Sequence, residues 1–260
     1  MQLYPNHIVE TSPWPIVTSI SLANTLLSIV LILQGFNSLS LKISIISLIL
    51  SMSLWWKDVI IESTYQGHHT TIVMSGIKIG FLLFILSEIF VFLSVFWAQL
   101  NAALVPEIEL GGLWPPLGIE AVNPFGIPLL NTLLLLSSGA TVTWAHYSMI
   151  KNTNKKETII SLFLTILYAT IFTLLQLFEY YYAPFSFVDG VYGCTFYAGT
   201  GLHALHVLVG NTFLIVALYR IIKNHFTQTH HLGFELAIIY WHFVDIVWLL
   251  LFIIFYYWAS

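Results

Sequence analysis

Residues 79–100 read IGFLLFILSEIFVFLSVFWAQL, and this stretch decides the fold class. Glu88 is its one charged residue, and no other charge occurs between Lys78 and Glu107. Ten residues separate Glu88 from Lys78, which corresponds to about 15 Å along a helix axis. If Lys78 marks one edge of an apolar slab roughly 30 Å thick, Glu88 lies near the middle of that slab.

The position of Glu88 is energetically unfavourable for a charge. An ionised carboxylate at the centre of a membrane helix costs at least ~2.5–3.5 kcal/mol. We therefore expect Glu88 to be protonated, paired or facing a polar cavity. An intramembrane carboxyl of this kind is by default a candidate functional site.

The composition of the chain implies the membrane. Charged residues make up 8% and apolar residues 58% of the 260 residues, too few charges to cover the surface of a soluble protein. Seven long apolar runs are candidate spans, at residues 16–34, 40–56, 73–101, 128–150, 158–182, 192–221 and 233–257. The runs are continuous and lack period-two alternation, so they predict an all-α membrane protein rather than a β-barrel.

The charges in the connections predict the orientation of the chain. Seven spans place the termini on opposite sides of the membrane. Seven of the eight basic residues fall on the side of the N-terminus: Lys57, Lys78, Lys151, Lys155, Lys156, Arg220 and Lys223. The third connection carries Glu107, Glu109 and Glu120 but no basic residue. The N-terminus is therefore predicted to face the cytoplasm or its organellar equivalent.

The connections predict how the chain is organised. The polar segment KDVIIESTYQGHHT at residues 57–70 predicts a seam between two units. The first unit, residues 1–70, holds the N-terminal segment and helices 1–2, and the second, residues 71–260, holds helices 3–7. The long third connection, residues 101–128, contains Pro and Gly pairs that predict a folded lid without a helix.

Several histidines cluster on the basic side and raise a metal hypothesis. They are His68, His69, His225, His230 and His231. Membrane di-iron enzymes use HxxxH and HxxHH boxes, whereas His225 and His230 are five residues apart here. Interfacial histidines, with Arg220 beside Trp55 and Trp56, favour contact with anionic phospholipid headgroups instead. The single cysteine, Cys194, excludes a cysteine-rich metal site within this chain.

Two further pairs lie inside predicted spans. His203 and His206 are three residues apart in the sixth span, as are His242 and Asp245 in the seventh. Histidines in a bundle could ligate haem, but buried hydrogen bonds between helices are the favoured interpretation. Glu88, Glu235 and Asp245 could form a proton relay, although so few acids favour a structural or lipid-contacting carboxyl. No phosphate loop, nucleophile elbow or CxxC motif occurs, so no catalytic residue is expected.

Seven blocks of the sequence resemble one known family. Four of them are WWKDVIIESTYQGHHT at 55–70, FILSEIFVFLSVFWA at 84–98, DGVYGCTFYAGTGLHALHVLVG at 189–210 and HHLGFELAIIYWHFVDIVWL at 230–249. The blocks cover nearly the whole chain and resemble subunit III of the haem–copper cytochrome c oxidases. The resemblance implies two helices and five helices around a V-shaped cleft filled with phospholipid.

The resemblance also implies a function. Members of this family belong to an oxidase that transfers electrons from cytochrome c to oxygen and pumps protons. They carry no metal or other redox cofactor, because haem a and copper belong to the partner subunits I and II. Their expected role is to stabilise subunit I, to support its proton uptake and to bind phospholipid. The residues matched to headgroup contacts are Trp56, Glu62, His69 and Arg220, and Glu88 matches the family's intramembrane glutamate.

The sequence leaves one alternative function open and predicts where the protein is located. The alternative is a self-contained proton channel or transporter that uses Glu88. The chain begins without a secretory signal or an Arg-rich transit peptide and is rich in Ile, Leu, Phe and Tyr. These features predict a mitochondrially encoded protein of the inner membrane, with its N-terminus in the matrix and its C-terminus in the intermembrane space. Supernumerary subunits are expected as further partners.

Overall fold

The computed structural model describes residues 6–108, 111–151 and 154–258. Within these ranges seven helices follow one another and no β-strand occurs. They are α1 Trp14–Leu33, α2 Leu39–Thr64, α3 Thr71–Leu104, α4 Ile127–Lys151, α5 Lys155–Tyr182, α6 Gly190–Ile222 and α7 Leu232–Leu251, which continues as a π-helical turn over Phe252–Tyr257. Each is long and apolar enough to cross a membrane, which confirms the predicted all-α class with seven transmembrane helices.

The predicted bounds hold to within three residues for six helices and fail for α2. Its predicted span ends at residue 56, whereas the helix continues to Thr64. Hydropathy reports the apolar slab, but Lys57, Asp58 and Glu62 are compatible with a helix that continues beyond it. Trp14 Nε1 also donates a hydrogen bond of 2.5 Å to Asp58 Oδ2, which ties this extension to the start of α1.

The chain divides into two compact units, Met1–Ile77 and Lys78–Ser260. The dividing point lies inside α3, and the domain boundary predicted between residues 70 and 71 stays a prediction. In the first unit α1 packs on α2 through small side chains, while the large apolar ones stay exposed. The buried residues are Ser21, Thr25 and Ser28 of α1 with Ser44 and Ser51 of α2. Such small residues let two helices approach closely where lipid removes any hydrophobic driving force.

The second unit is built on a ring of four helices. Neighbouring pairs are α4 with α5, α5 with α6, α6 with α7, and α7 with α4. The indole nitrogens of Trp241 and Trp248 donate to hydroxyl oxygens of α4, at 2.9 Å to Ser138 and 3.0 Å to Thr132. These bonds satisfy the two buried indoles and join α7 to α4.

The remainder of α3 joins this ring through aromatic side chains. Phe92 packs edge-on against Phe243 of α7, and Phe96 packs edge-on against Phe255. The buried side of α3 is a stripe whose members are three, four or seven residues apart, as expected for one face of a helix. The stripe contains Ile85, Phe92, Phe96, Gln99 and Ala103.

The connection predicted over residues 101–128 is shorter in the structure, because α3 continues to Leu104 and α4 begins at Ile127. Its described parts, 105–108 and 111–126, carry no α-helix, as its Pro and Gly residues predict. Trp114 packs against Tyr192 of α6, with ring centroids 5.4 Å apart. The contact holds this connection against α6. Glu109, one of the three acidic residues of this connection, lies outside the described residues.

Candidate functional site

Glu88 lies on the buried stripe of α3, three residues after Ile85 and four before Phe92. This spacing turns its side chain toward α6, although 22% of the side chain remains exposed. His206 stands opposite on α6, and its Nε2 is 2.9 Å from Glu88 Oε2. Glu88 is therefore paired, which is one of the three states that its depth allows.

The second ring nitrogen of His206 defines what the pair can do. Its Nδ1 lies 2.8 Å from the carbonyl oxygen of Leu202, and a carbonyl can only accept. Nδ1 therefore carries hydrogen. If the ring is neutral, Nε2 is a lone pair and Glu88 must donate as a neutral acid; if the ring is charged, Glu88 is the carboxylate. Either way the Glu88–His206 bond holds one proton and has no net charge.

Aromatic rings surround this pair. Phe92 lies edge-on to the His206 imidazole with centroids 4.9 Å apart, and Tyr240 stacks parallel to it at 6.3 Å. Phe243 closes the group from α7 at 6.3 Å. Such apolar walls keep the effective dielectric constant low, which strengthens the hydrogen bond between Glu88 and His206.

His203, one turn earlier on α6, has a different role from His206. It is fully buried, with 1% exposure, between the rings of Phe172 and Trp248. Its Nε2 lies 3.1 Å from the carbonyl oxygen of Val244 and therefore donates to α7. The packed rings leave no room for a haem beside His203, and the contact is a link between helices.

His242 and Asp245 lie on the side of α7 that faces α4. His242 is half-buried, and its Nε2 is 3.3 Å from Thr143 Oγ1. Asp245 is buried, with 8% exposure, beside Gly139. The four polar residues therefore lie in three different places. His206 pairs with Glu88, His203 links α6 to α7, and His242 and Asp245 lie together on another face.

The acids proposed for a relay are also separated. Glu235 forms an ion pair with Lys78, which joins the first turn of α7 to α3. No hydrogen bond among the described residues connects this ion pair with the Glu88–His206 pair. Lys78, which marks the predicted edge of the apolar slab, therefore also links α3 to α7 through Glu235.

Glu179 is a buried acid that sequence reasoning missed. Its Oε1 accepts from Tyr256 Oη at 2.6 Å and from Gln176 Nε2 at 3.2 Å. Asn131 of α4 donates in turn to Gln176 Oε1 at 3.3 Å. The π-helical turn after α7 carries Tyr256, so only the folded chain brings these groups together. The one signal in the sequence is the spacing of Gln176 and Glu179 on one face of an apolar helix.

Three predicted headgroup contacts lie in the first unit. Trp56 is exposed on α2. Glu62 Oε2 is 3.9 Å from His7 Nε2, and the ring of His69 lies edge-on to His7 with centroids 6.1 Å apart. His7 thus brings Glu62 and His69 together, and the sequence contains no signal for this role.

Arg220, the fourth predicted headgroup contact, is held near the end of α6 in the second unit. Its guanidinium lies 4.2 Å from the centroid of the Phe226 ring, a cation–π distance. Gly233 lies against it, since a Cβ there would be 2.7 Å from an Arg220 nitrogen. Partial burial lowers the pKa of the nearby His225, and the charges of Arg220 and Lys223 lower it further. The positive charge of this segment therefore rests on Arg220 and Lys223 at neutral pH.

The clustered histidines do not assemble a metal-binding group in the described part of the chain. No three His, Cys, Asp or Glu side chains there are placed to hold one ion. The rings of His7 and His68 stack at 4.8 Å, and His146 packs edge-on against His231 at 5.7 Å. These four histidines thus pack against one another in two pairs.

Comparison with known proteins assigns the family. The model of the family described as cytochrome c oxidase subunit III matches residues 4–260. A protein of Rhizopus stolonifer named cytochrome c oxidase subunit 3 is 54% identical over 100% of this chain and 92% of its own length. Proteins of the same name from Prototheca wickerhamii and Tetraodon nigroviridis are 49% and 52% identical, over 100% of this chain and 100% and 99% of their own lengths. The seven membrane helices and the full-length similarity agree, and the chain belongs to the cytochrome c oxidase subunit III family.

Proposed function

We propose that this chain is a redox-free core subunit of a mitochondrial cytochrome c oxidase. Its partners are subunits I and II, which hold haem a and copper, together with supernumerary subunits and bound phospholipid. Its role is to stabilise subunit I during turnover and to support proton uptake into it. Membership of the family over residues 4–260 supports the placement in the complex.

The hydrogen bond between Glu88 and His206 carries the proposed role. The pair holds one proton near the middle of the membrane, with 22% of the Glu88 side chain open to the surroundings of α3. On its other side the bonded chain ends at the Leu202 carbonyl, which cannot pass a proton on. A pair that holds one proton suits a subunit that assists a neighbour. Such a pair can exchange a proton locally without a proton path across the membrane.

A self-contained proton channel is the alternative. A channel needs hydrogen-bonding groups that continue from Glu88 to both membrane surfaces. Among the described residues, the bonded chain from Glu88 stops at Leu202, and the Lys78–Glu235 pair stands apart from it. The purified chain alone, reconstituted in vesicles, is expected to conduct no protons. A flux that Glu88→Gln abolishes would favour the channel.

The supporting role is tested in the purified oxidase. Glu88→Gln keeps a side-chain donor for His206 Nε2 and removes the titrating proton. The variant complex is expected to keep its haem content but to lose activity faster during continuous turnover than the wild type. Ser94→Ala, an exposed change on the same helix, is the matched control. Equal inactivation rates in all three complexes would contradict the role.

The second part of the proposal concerns lipid. The headgroup contacts proposed are Trp56, Glu62, His69 and Arg220. The Arg220 guanidinium is oriented by the Phe226 ring and by Gly233, and its planar donors match a phosphate. Arg220→Ala should therefore lower the phospholipid phosphorus that co-purifies per haem a. Unchanged phosphorus would remove the assignment.

The third part concerns location. Relatives named as oxidase subunits in eukaryotes support the mitochondrial inner membrane. The basic helix ends that hold Lys57, Lys155 and Arg220, in α2, α5 and α6, are proposed to face the matrix, as the positive-inside rule requires. The N-terminus then lies in the matrix and the C-terminus in the intermembrane space.

A further inference from the structure

A cavity of about 160 Å³ lies where α4 ends, α5 begins and α6 ends. All of the described residues that line it belong to the second unit. We call it the Lys155 cavity, after the one charged residue in its wall. A water molecule takes about 30 Å³ in the liquid, so the cavity has room for a small headgroup but not for a whole lipid.

The ammonium group of Lys155 is held in place at the wall of this cavity. Its Nζ donates to the carbonyl oxygen of Ile222 at 2.9 Å and to Asn224 Oδ1 at 2.6 Å. An ammonium group has three hydrogens, so one remains after these two bonds. Lys155 thus supports the end of α6 and also keeps a charged donor for a ligand.

Three neutral side chains add donors around this ammonium. Asn224 Oδ1 accepts from Lys155, and the Nδ2 hydrogens of Asn224 have no partner among the described residues. Thr227 Oγ1 accepts from the backbone nitrogen of His230 at 3.0 Å and keeps its own hydrogen. The side-chain amide of Gln228 forms no hydrogen bond within the described chain. All of these donors are on exposed residues, so a ligand from outside can reach them.

The wall of the Lys155 cavity is poor in acceptors. None of the described residues that line it is an Asp or a Glu. The hydroxyls of Ser148 and Thr158, which also line it, bond to each other at 2.7 Å. The Arg220 guanidinium, 4.2 Å from the centroid of the Phe226 ring, is a second positive charge beside the cavity. Charged and neutral donors without an opposing acid favour an anion as the ligand.

We propose that the Lys155 cavity binds a phosphate group. A carboxylate presents two oxygens, whereas a phosphate group presents at least three, enough to accept from donors on several sides at once. Met149, Ile221 and Phe226 form the apolar part of the wall and suit the carbon atoms next to the phosphate of a phospholipid. Inorganic phosphate presents the same oxygens. Only the phospholipid source rests on the proposed lipid binding, to which the cavity adds a site.

Acetylation of lysines in the purified, delipidated oxidase tests the site. Lys156 is the next residue and is exposed, but it does not line the cavity, so it is an internal reference for Lys155. Mass spectrometry measures the acetylation rate of Lys155 relative to Lys156 in three mixtures. They contain dioctanoylphosphatidylglycerol, inorganic phosphate, or dioctanoylglycerol, which lacks the phosphate. A ligand with phosphate should slow the relative rate roughly threefold or more, and dioctanoylglycerol should leave it unchanged.

The three mixtures also separate the two sources of phosphate. Protection of Lys155 by the phospholipid alone would support a lipid headgroup as the ligand. Protection by inorganic phosphate would support the free anion. Equal relative rates in all mixtures, or equal protection by dioctanoylglycerol, would overturn the inference. The haem a content of the same preparation tests the proposed function separately, because the lysine rates do not depend on it.

A neutral variant tests the donors without changing the charge. Gln228→Leu removes one donor from the cavity and breaks no hydrogen bond within the described chain. The concentration of phosphate ligand that gives half of the protection should therefore rise roughly threefold. Thr229→Val, a change at the neighbouring exposed residue outside the cavity wall, is the matched control. The same concentration for Gln228→Leu and the wild type would overturn the proposed set of donors.

Discussion

Glu88 Oε2 lies 2.9 Å from Nε2 of His206, although 118 residues separate the two in the sequence. The bond joins α3 to α6 within the second unit. Because His206 Nδ1 is bound to the Leu202 carbonyl, the pair cannot gain a second proton without losing a hydrogen bond. The pair is therefore both a link between two helices and a store of one proton.

The stabilising effect of the hydrogen bond between Glu88 and His206 can be measured. Glu88→Leu leaves His206 Nε2 without its partner, and an orphaned buried group costs about 1–3 kcal/mol. Glu88→Gln keeps a hydrogen bond, so its stability should remain near that of the wild type. The two variants are compared by heating the purified oxidase and measuring how much of this chain remains bound to the complex. Equal losses for Gln and Leu would show that the hydrogen bond does not stabilise the contact between α3 and α6.

The indole of Trp248 predicts a small coupling energy between α7 and α4. Its Nε1 donates to Thr132 Oγ1 at 3.0 Å, while Thr132 itself donates to the Pro128 carbonyl. Trp248→Phe and Thr132→Val, with the double variant, form a cycle in which the coupling should be about 0.6 kcal/mol and below ~2 kcal/mol. Unfolding of the detergent-solubilised chain measures each free energy. A coupling of zero would mean that the hydrogen bond is replaced at no cost in the single variants.

Two glycines of α6 predict opposite effects of the same substitution. A Cβ at Gly210 would lie 3.0 Å from Trp241 Cε3, and this ring is fully buried and held by Ser138. Because the ring cannot move away, Gly210→Ala should destabilise the second unit by about 1–3 kcal/mol. A Cβ at Gly201 meets nothing within 4 Å, so Gly201→Ala should stabilise the helix by up to ~1 kcal/mol.

The same unfolding measurement applies to both alanine variants. Gly201→Ala is the control for helix propensity, since it differs from Gly210→Ala only in what surrounds the added methyl group. If both variants gain stability, Trp241 has room to shift and the close packing of α6 on α7 is looser than the distances indicate.

Hydropathy predicted the number of helices and most of their bounds because an apolar slab acts on every residue in the same way. It failed at the end of α2, where Lys57, Asp58 and Glu62 lie beyond the apolar run but remain helical. The side-chain pairs were not predictable. Glu88 meets His206, rather than His203, because of the rotation of α6 about its own axis, and a single sequence does not contain that angle.

Glu179 was missed for a related reason. It precedes Tyr180, Tyr181 and Tyr182, a run that indicates the membrane interface, where a carboxyl is unremarkable. Its burial depends on the π-helical turn at Phe252–Tyr257, which directs Tyr256 toward it. The position of Glu179 along the sequence indicates its depth in the membrane, whereas its partner Tyr256 comes from the turn that follows α7.

The buried Glu179 network gives a prediction of its own. Glu179→Gln retains an oxygen that can accept from Tyr256 and Gln176, so the variant should lose less than ~1 kcal/mol of stability. Glu179→Leu leaves the buried Tyr256 hydroxyl without an acceptor, whereas Gln176 Nε2 still donates to Tyr256 Oη at 3.3 Å, so the variant should cost about 1–3 kcal/mol. Tyr256→Phe in the Glu179→Leu background should recover part of the loss, because it removes one orphaned donor. No recovery would contradict the hydrogen bond as the cause.

The orientation of the chain can be decided by labelling in intact and permeabilised inner-membrane preparations. In a Cys194→Ser background, a single cysteine replaces either Lys156, in the first turn of α5, or Glu120, in the acidic connection between α3 and α4. A membrane-impermeant maleimide added to mitoplasts, whose intermembrane-space face is open, should label the Glu120→Cys variant at once. It should label the Lys156→Cys variant only after detergent opens the matrix side. This order is expected because positively charged connections stay on the side from which a membrane protein inserts. The reverse order would place the N-terminus in the intermembrane space, and the assignment of Arg220 to matrix-side headgroups would then be wrong.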